Sequence, residues 1–257
     1  MGLKRQVRRA AAATIRLISK RAIPSALRIG AIRDSVITGL STNLPEYNIP
    51  ALETKHLDNA RLFAHRYDLI SSMGSIKGIK GGVIAEVGVA LGEFSEFLLN
   101  ELQPTKFVAF DVFTMHEWGG AWQGESMNNV FNNMTHLDYY KRKFANQGAQ
   151  VVIEVGMSHL TLAKYPDKSF DLIYLDANHS YESVKRDSEL AKVKSTDAGV
   201  IVFNDYMRFD HVLGNYYGIV RAVNELVVND NWSVCGFALH SEMYCDIAIH
   251  KKPQHFY

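Results

Sequence analysis

Cysteine is scarce in this chain: Cys235 and Cys245 are the two among 257 residues. Two thiols cannot make a disulfide framework, so a reducing, cytoplasmic setting is expected, with both as structural thiols on neighbouring strands. Long apolar runs are also missing. None approaches the roughly 18 residues that a membrane-crossing helix needs. Acidic residues are absent from positions 1–33, which hold nine Lys and Arg: Lys4, Arg5, Arg8, Arg9, Arg16, Lys20, Arg21, Arg28 and Arg33. The other 19 of the 28 basic residues face all 27 acids, so residues 34–257 carry a net charge of −8. A body this acidic is a poor grip for nucleic-acid phosphates. The basic stretch reads as a helix over 3–20. Arg16 interrupts it as a signal peptide, and Gln6 breaks the myristoylation pattern. A solvated extension, an interfacial helix on an anionic membrane and an organelle transit peptide stay open.

What is present is a regular alternation. Residues 34–51, with Pro45 and Pro50, read as a linker. Residues 52–73 read as a helix with Leu62, Phe63, Leu69, Ile70 and Met73 on one face. Strands are expected at Val83–Val87, Phe107–Phe110, Val151–Val155, Phe170–Leu175 and Gly199–Phe203. A helical pattern follows the first of these, with Phe94, Phe97, Leu98 and Leu102 on one face, and further helices are expected near 137–147, 158–164, 181–192 and 215–228. Strands alternating with helices imply an α/β fold, a parallel sheet covered on both faces. Two final strands, near 232–239 and 243–250, are joined by a short turn at Ser241 and must form an antiparallel hairpin.

The first strand runs into a glycine turn, Glu86-Val87-Gly88-Val89-Ala90-Leu91-Gly92, and a helix follows. Such a corner lets backbone approach a ligand and presents free N–H groups. Asp111 ends the next strand, where a carboxylate can accept from both hydroxyls of a ribose. Gly88-Val89-Ala90 lacks the middle glycine that approaches a pyrophosphate, which favours a ligand without phosphate. Tight helix–strand packing would by itself account for the glycines.

Two segments go further: Asp171-Leu172-Ile173-Tyr174-Leu175-Asp176-Ala177-Asn178-His179-Ser180-Tyr181-Glu182 and Gly199-Val200-Ile201-Val202-Phe203-Asn204-Asp205-Tyr206. On these, residues 80–250 resemble class I S-adenosylmethionine-dependent methyltransferases, most nearly the macrocin O-methyltransferase-like enzymes that act on sugars and natural products. The resemblance implies a Rossmann-like, seven-stranded, mostly parallel sheet with helices on both faces and an antiparallel C-terminal strand. It does not reach the basic stretch, so the chain is read as a basic extension over 1–33, a linker and cap helix over 34–79 and a methyltransferase domain over 80–257. Gly88, in the turn closed by Gly92, would lie beneath the methionine part of S-adenosyl-L-methionine. Glu86 would lie near its amino group and Asp111 on its ribose. In the loop after the third strand, Met157 would pack on the adenine and Ser158 hydrogen-bond it, unless Ser158 simply caps a helix.

At the reacting end, Asp176 and Asp205 end neighbouring strands and can reach one ion, with Asn204 adding a neutral oxygen. Oxygen donors suit Mg²⁺ rather than zinc. Such an ion would orient vicinal hydroxyls and ease their deprotonation. His179, three residues after Asp176, is the candidate catalytic base. The resemblance implies the same role, whereas catechol-type relatives put a lysine there. Relatives carry two acids, or Asp then Asn, at the fifth strand tip; here Asn204 precedes Asp205, so metal affinity should be lower. Asp176, Asp205 and His179 also have bland readings as turn or cap residues. Residues 112–136 form a long insertion, a lid or a loop tucked down by Trp118 and Trp122. His116 is a second candidate base, and Tyr206, Arg208 and His211 could reach the acceptor.

The expected partner is a small hydroxyl-bearing acceptor, a sugar or natural product, and no nucleic acid. Peripheral membrane contact through 1–33 and homo-oligomerisation stay open. So do three other readings: a metal-independent N- or O-methyltransferase, an NAD-binding oxidoreductase and a non-catalytic docking module.

Overall fold

The computed structural model describes residues 49–252, apart from Gly120, Gln123, Leu213 and Glu242. The basic extension, its expected helix and the linker up to Asn48 lie outside the described residues. Twelve strands are assigned: β1 (Leu57–Phe63), β2 (Val83–Val87), β3 (Lys106–Asp111), β4 (Ala121–Trp122), β5 (Glu125–Ser126), β6 (Val151–Val155), β7 (Phe170–Leu175), β8 (Ser195–Phe203), β9 (Phe209–Asp210), β10 (Asn215–Tyr216), β11 (Trp232–Ala238) and β12 (Asp246–Lys251). The α-helices are α1 (Arg66–Lys77), α2 (Glu93–Leu102), α3 (Met127–Val130), α4 (His136–Lys143), α5 (Ser158–Thr161), α6 (Tyr181–Lys194) and α7 (Ile219–Asn229).

Eight strands form one sheet in the order β1-β11-β12-β8-β7-β2-β3-β6. β12 runs antiparallel to both its neighbours, β8 and β11. The remaining pairs are parallel. The expected α/β architecture, its covered parallel sheet and its closing hairpin are all present. The strand count is eight rather than seven, because β1 adds to the β11 edge.

That extra strand corrects the reading of 52–73 as one helix. Leu57–Phe63 pairs through its backbone with Val234–Ala238 and leaves Leu62 67% exposed. The helix starts only at Arg66. Leu62 and Phe63 fell by chance at helical spacing from Leu69 and Ile70, whereas the partner that makes them a strand lies about 175 residues away.

The central strands are apolar on both faces because helices cover both. Ile84, Phe107, Leu172, Tyr174 and Val202 pack with Leu69, Ile70 and Met73 of α1 and Leu98 of α2. Val87, Phe110, Ile173, Leu175 and Phe203 pack with Val184 of α6 and Ile219, Val223 and Leu226 of α7. Each such side chain, fully buried, stabilises the fold by about 1.5–3 kcal/mol. No helix among the described residues is long and apolar enough to cross a membrane.

In the insertion, Met115, Met127 and Phe131 form a small core of their own. Trp118 and Trp122 are 57% and 38% exposed, so of the two readings left open the loop is not tucked down by them. The thioethers and Phe131 do so instead, filling the gap beside the glycine turn at Ala90 and Leu91.

Candidate active site

The parallel strands end on one rim, and the glycine turn opens there. Gly88 has φ +85°, and a side chain on it would collide with the backbone carbonyl of Asp176. Its N–H donates to Phe110 O at 2.8 Å, and Asp176 N donates to Val87 O at 2.8 Å. Gly88 is therefore required by the close approach of β2 and β7. Gly92, at φ +74°, is the N-cap of α2. Between them Ala90 takes φ 41° despite its Cβ. Its carbonyl lies 2.6 Å from His136 Nε2. This local conformation costs about 1–2 kcal/mol.

Two of the expected cofactor residues bind this turn together. Asp111 Oδ2 accepts from Val89 N at 2.9 Å, and its Oδ1 accepts from Phe113 N at 2.6 Å. Each oxygen keeps a lone pair for a ligand hydroxyl. Glu86 is buried beneath the turn and accepts at 2.5 Å from Ser95, whose oxygen accepts from Tyr140 at 2.9 Å. Burial holds its carboxyl well above the usual range, against the Ser95 hydrogen bond. Met157 is 57% exposed at the tip of β6, free to pack on a flat ring. It also occupies the N-cap of α5, so Ser158 does not cap that helix. The Ser158 hydroxyl donates instead to Asp187 of α6 at 2.8 Å, which leaves its oxygen as an acceptor.

On the reacting side, β7 and β8 are neighbours, and Asn204 N donates to Leu175 O at 3.0 Å. Asp176 and Asp205 therefore sit side by side as their spacing implied, with His179 between them. Its Nε2 is 3.5 Å from Asp176 Oδ1, and its Nδ1 is 3.6 Å from Asp205 Oδ2. Nε2 is buried without a hydrogen-bond partner among the described residues. Burial lowers the imidazole's proton affinity, but Asp176, then Asp205 and Asp210, outweigh it and hold the pKa above the ordinary histidine value. Burial and Asp176 push Asp205 up to about 7. The Tyr217 ring lies against the His179 ring, centroids 4.5 Å apart and tilted by 54°. Its hydroxyl donates at 2.8 Å to buried Asp210, which also accepts from Tyr244 at 2.8 Å.

Two residues that sequence reasoning missed complete the site. Asp246, at the start of β12, accepts from Tyr174 at 2.7 Å and from the Asn204 amide at 3.1 Å. Burial raises its pKa to about 6. Arg66 donates to the Tyr174 hydroxyl at 3.3 Å. One signal was available for Arg66: it shares the spacing of Leu69, Ile70 and Met73, a charge on a buried helix face. Of the remaining candidates, His116 lies beside the insertion core, its ring centroid 6.4 Å from that of Phe131. Tyr206 donates to Asn224 at 2.5 Å, and the His211 ring lies 5.5 Å from Tyr244.

The donor set accommodates a hard cation in part. Asp176 and Asp205 bring two carboxylates to one point, and Asn204 spends its amide nitrogen on Asp246, leaving its oxygen unengaged among the described residues. No group of three or more His, Cys, Asp or Glu side chains among the described residues is arranged to hold an ion.

An open α/β sheet with one reversed strand, a glycine turn on the first core strand, and an acid at the tip of the second define the class I methyltransferase fold. A family model described as a methyltransferase domain matches residues 85–206, from β2 to the rim after β8. Over that segment the chain is similar to methyltransferases, and its sheet has their class I fold. Solved structures agree on the fold. A protein from Corynebacterium glutamicum is 14% identical, with 88% of this chain and 100% of that one covered at a TM-score of 0.52. A candidate caffeoyl-CoA O-methyltransferase from Staphylococcus aureus is 16% identical, covering 88% and 98% at 0.50. No curated protein sequence matches significantly.

Proposed function

We propose that the protein moves the methyl group of S-adenosylmethionine to a hydroxyl of a small acceptor of the sugar, glycan-precursor or natural-product kind, with His179 as general base. The observation that supports this most is the imidazole between Asp176 and Asp205, on a rim that packs against Gly88. A neutral amine attacks a methyl carbon without help, whereas a hydroxyl attacks well only as its proton leaves. A base flanked by two carboxylates is therefore suited to oxygen.

When bound, the cofactor supplies a methyl carbon on a sulfonium; the acceptor oxygen bonds to that carbon as the C–S electron pair leaves on sulfur. The chain does the rest. Gly88 lets β2 pass under the methionine part, and Asp111 takes the ribose hydroxyls. Met157 and the Ser158 oxygen meet the adenine. His179 takes the acceptor proton, and Asp176 and Asp205, 3.5 and 3.6 Å from its two ring nitrogens, stabilise the imidazolium that forms. Tyr217 packs against the ring.

Mg²⁺ assistance is part of this proposal: Asp176, Asp205 and the Asn204 oxygen would hold the ion. When bound, it would lower the pKa of a vicinal diol and orient it. A metal-independent variant is favoured by the imidazole already lying between the carboxylates. Residues 1–33 are proposed as an appended basic arm that touches a membrane surface peripherally from the cytoplasm. Incubation with methyl-labelled cofactor and a panel of vicinal diols, with Mg²⁺ or with chelator, tests the reading. Label on hydroxyl oxygen supports it; label on amines alone contradicts it.

A further inference from the structure

The methionine end of the cofactor is a zwitterion, and a site for it needs both charge signs. Carboxylates are plentiful on this rim. The cation that acts on Glu86, Asp205 and Asp246 together is Arg66. It comes from α1, an element that lies before the matched methyltransferase segment.

Its placement follows from three contacts. Glu86 and Tyr174 are register partners on β2 and β7, so their side chains leave the same face of the sheet. The Tyr174 ring lies 4.3 Å from the ring of Phe94, in the first turn of the helix that the glycine turn opens. The Arg66 guanidinium lies 4.4 Å above Phe94 and donates once, to the Tyr174 hydroxyl at 3.3 Å. The guanidinium thus sits over the start of α2, on the Glu86 side. A guanidinium has five N–H donors in a rigid fork. Among the described residues Arg66 makes that single hydrogen bond and no ion pair with a carboxylate. A half-buried arginine with four unspent donors is costly unless a planar anion takes them.

We infer that Arg66 is a cofactor-binding residue, whose fork receives the α-carboxylate of the methionine moiety. This rests on the cofactor reading above. It adds a residue from outside the glycine-turn and rim motifs and makes α1 part of the cofactor site.

The test is calorimetric binding of two probes to the full chain: S-adenosylhomocysteine and its decarboxylated amine, which keeps adenosine, thioether and amino group. Arg66→Ala is expected to weaken S-adenosylhomocysteine by about 10–100-fold, as for loss of a charge-assisted hydrogen-bonded pair. Its affinity for the decarboxylated probe should stay within about twofold. Arg66→Lys, which keeps the charge but not the fork, should lose about 3–10-fold on S-adenosylhomocysteine alone; it also serves if the alanine variant does not fold. Equal loss on both probes would make Arg66 a structural support and overturn the inference, as would no loss on either. Failure of the wild-type chain to bind S-adenosylhomocysteine overturns the cofactor reading itself and is seen separately.

Discussion

Raising the pH from 5 to 8 should destabilise the ligand-free fold, opposite to the rise expected where carboxylates are held ionised by partners. Asp205 is lifted from the ordinary 3.8 to about 7 by burial and Asp176. Asp246 is lifted to about 6 by burial. Between pH 4 and these values the folded chain keeps protons that the unfolded chain has lost, so stability falls as pH rises. Each pH unit over which one group differs in this way is worth about 1.4 kcal/mol. From pH 5 to 7, Asp205 then loses about 3 kcal/mol, and Asp246 about 1 more from pH 5 to 6. Part of the Asp205 shift comes from Asp246, so the two are coupled, which trims the total to about 2–3 kcal/mol. His179, also raised, adds in the same direction as it loses its proton. The acids whose pKa is lowered, Glu189, Glu225 and Asp197, titrate below this window; within it His65 and His136, lowered by burial, oppose the fall, and Glu86 and Asp187, raised by burial, add to it. Urea unfolding at constant ionic strength measures the effect, and a midpoint that rises between pH 5 and 8 would refute the reasoning. Asp205→Asn should flatten the slope.

Two further substitutions probe the frame. Gly88→Ala forces a Cβ to within 2.0 Å of Asp176 O at φ +85°, so unfolding free energy should drop by about 2–5 kcal/mol from strain and overpacking; a loss under about 0.5 kcal/mol would show that the turn yields easily. In the insertion, Phe131→Ala should cost about 3–5 kcal/mol, because that ring is fully buried, whereas exposed Trp122→Ala should cost less than about 0.5. Thermal melts of the two variants compare them directly.

How much of this was legible in the sequence depended on distance along the chain. β6 and β7 were read to the residue, because short apolar runs between turns leave little room for error. The rim residues Asp111, Asp176 and Asp205 were legible because a polar residue ending an apolar strand in a parallel sheet must fall on one edge. β1 was not, since its side chains are mostly exposed and only backbone pairing with β11 makes it a strand. Asp246 hid in front of Ile247-Ala248-Ile249, and only the fold carries it to Tyr174 and Asn204. Ser158 was placed at the adenine loop, but its partner Asp187, on a helix after β7, is a contact that no local pattern encodes. The tryptophans drew attention as large apolar residues, yet smaller Met115 and Met127 fill the insertion's core.

The central claim is that His179 takes the acceptor proton at a cofactor-bearing rim. The most direct measurement is the pH profile of methyl transfer from labelled S-adenosylmethionine by wild type and His179→Gln, beside their affinities for S-adenosylhomocysteine. The account predicts that wild-type transfer rises with pH through a group above the ordinary histidine value. The variant should lose that limb and about 10²–10⁴ of the rate, with cofactor affinity within about twofold. A variant that keeps the wild-type rate and profile would contradict it.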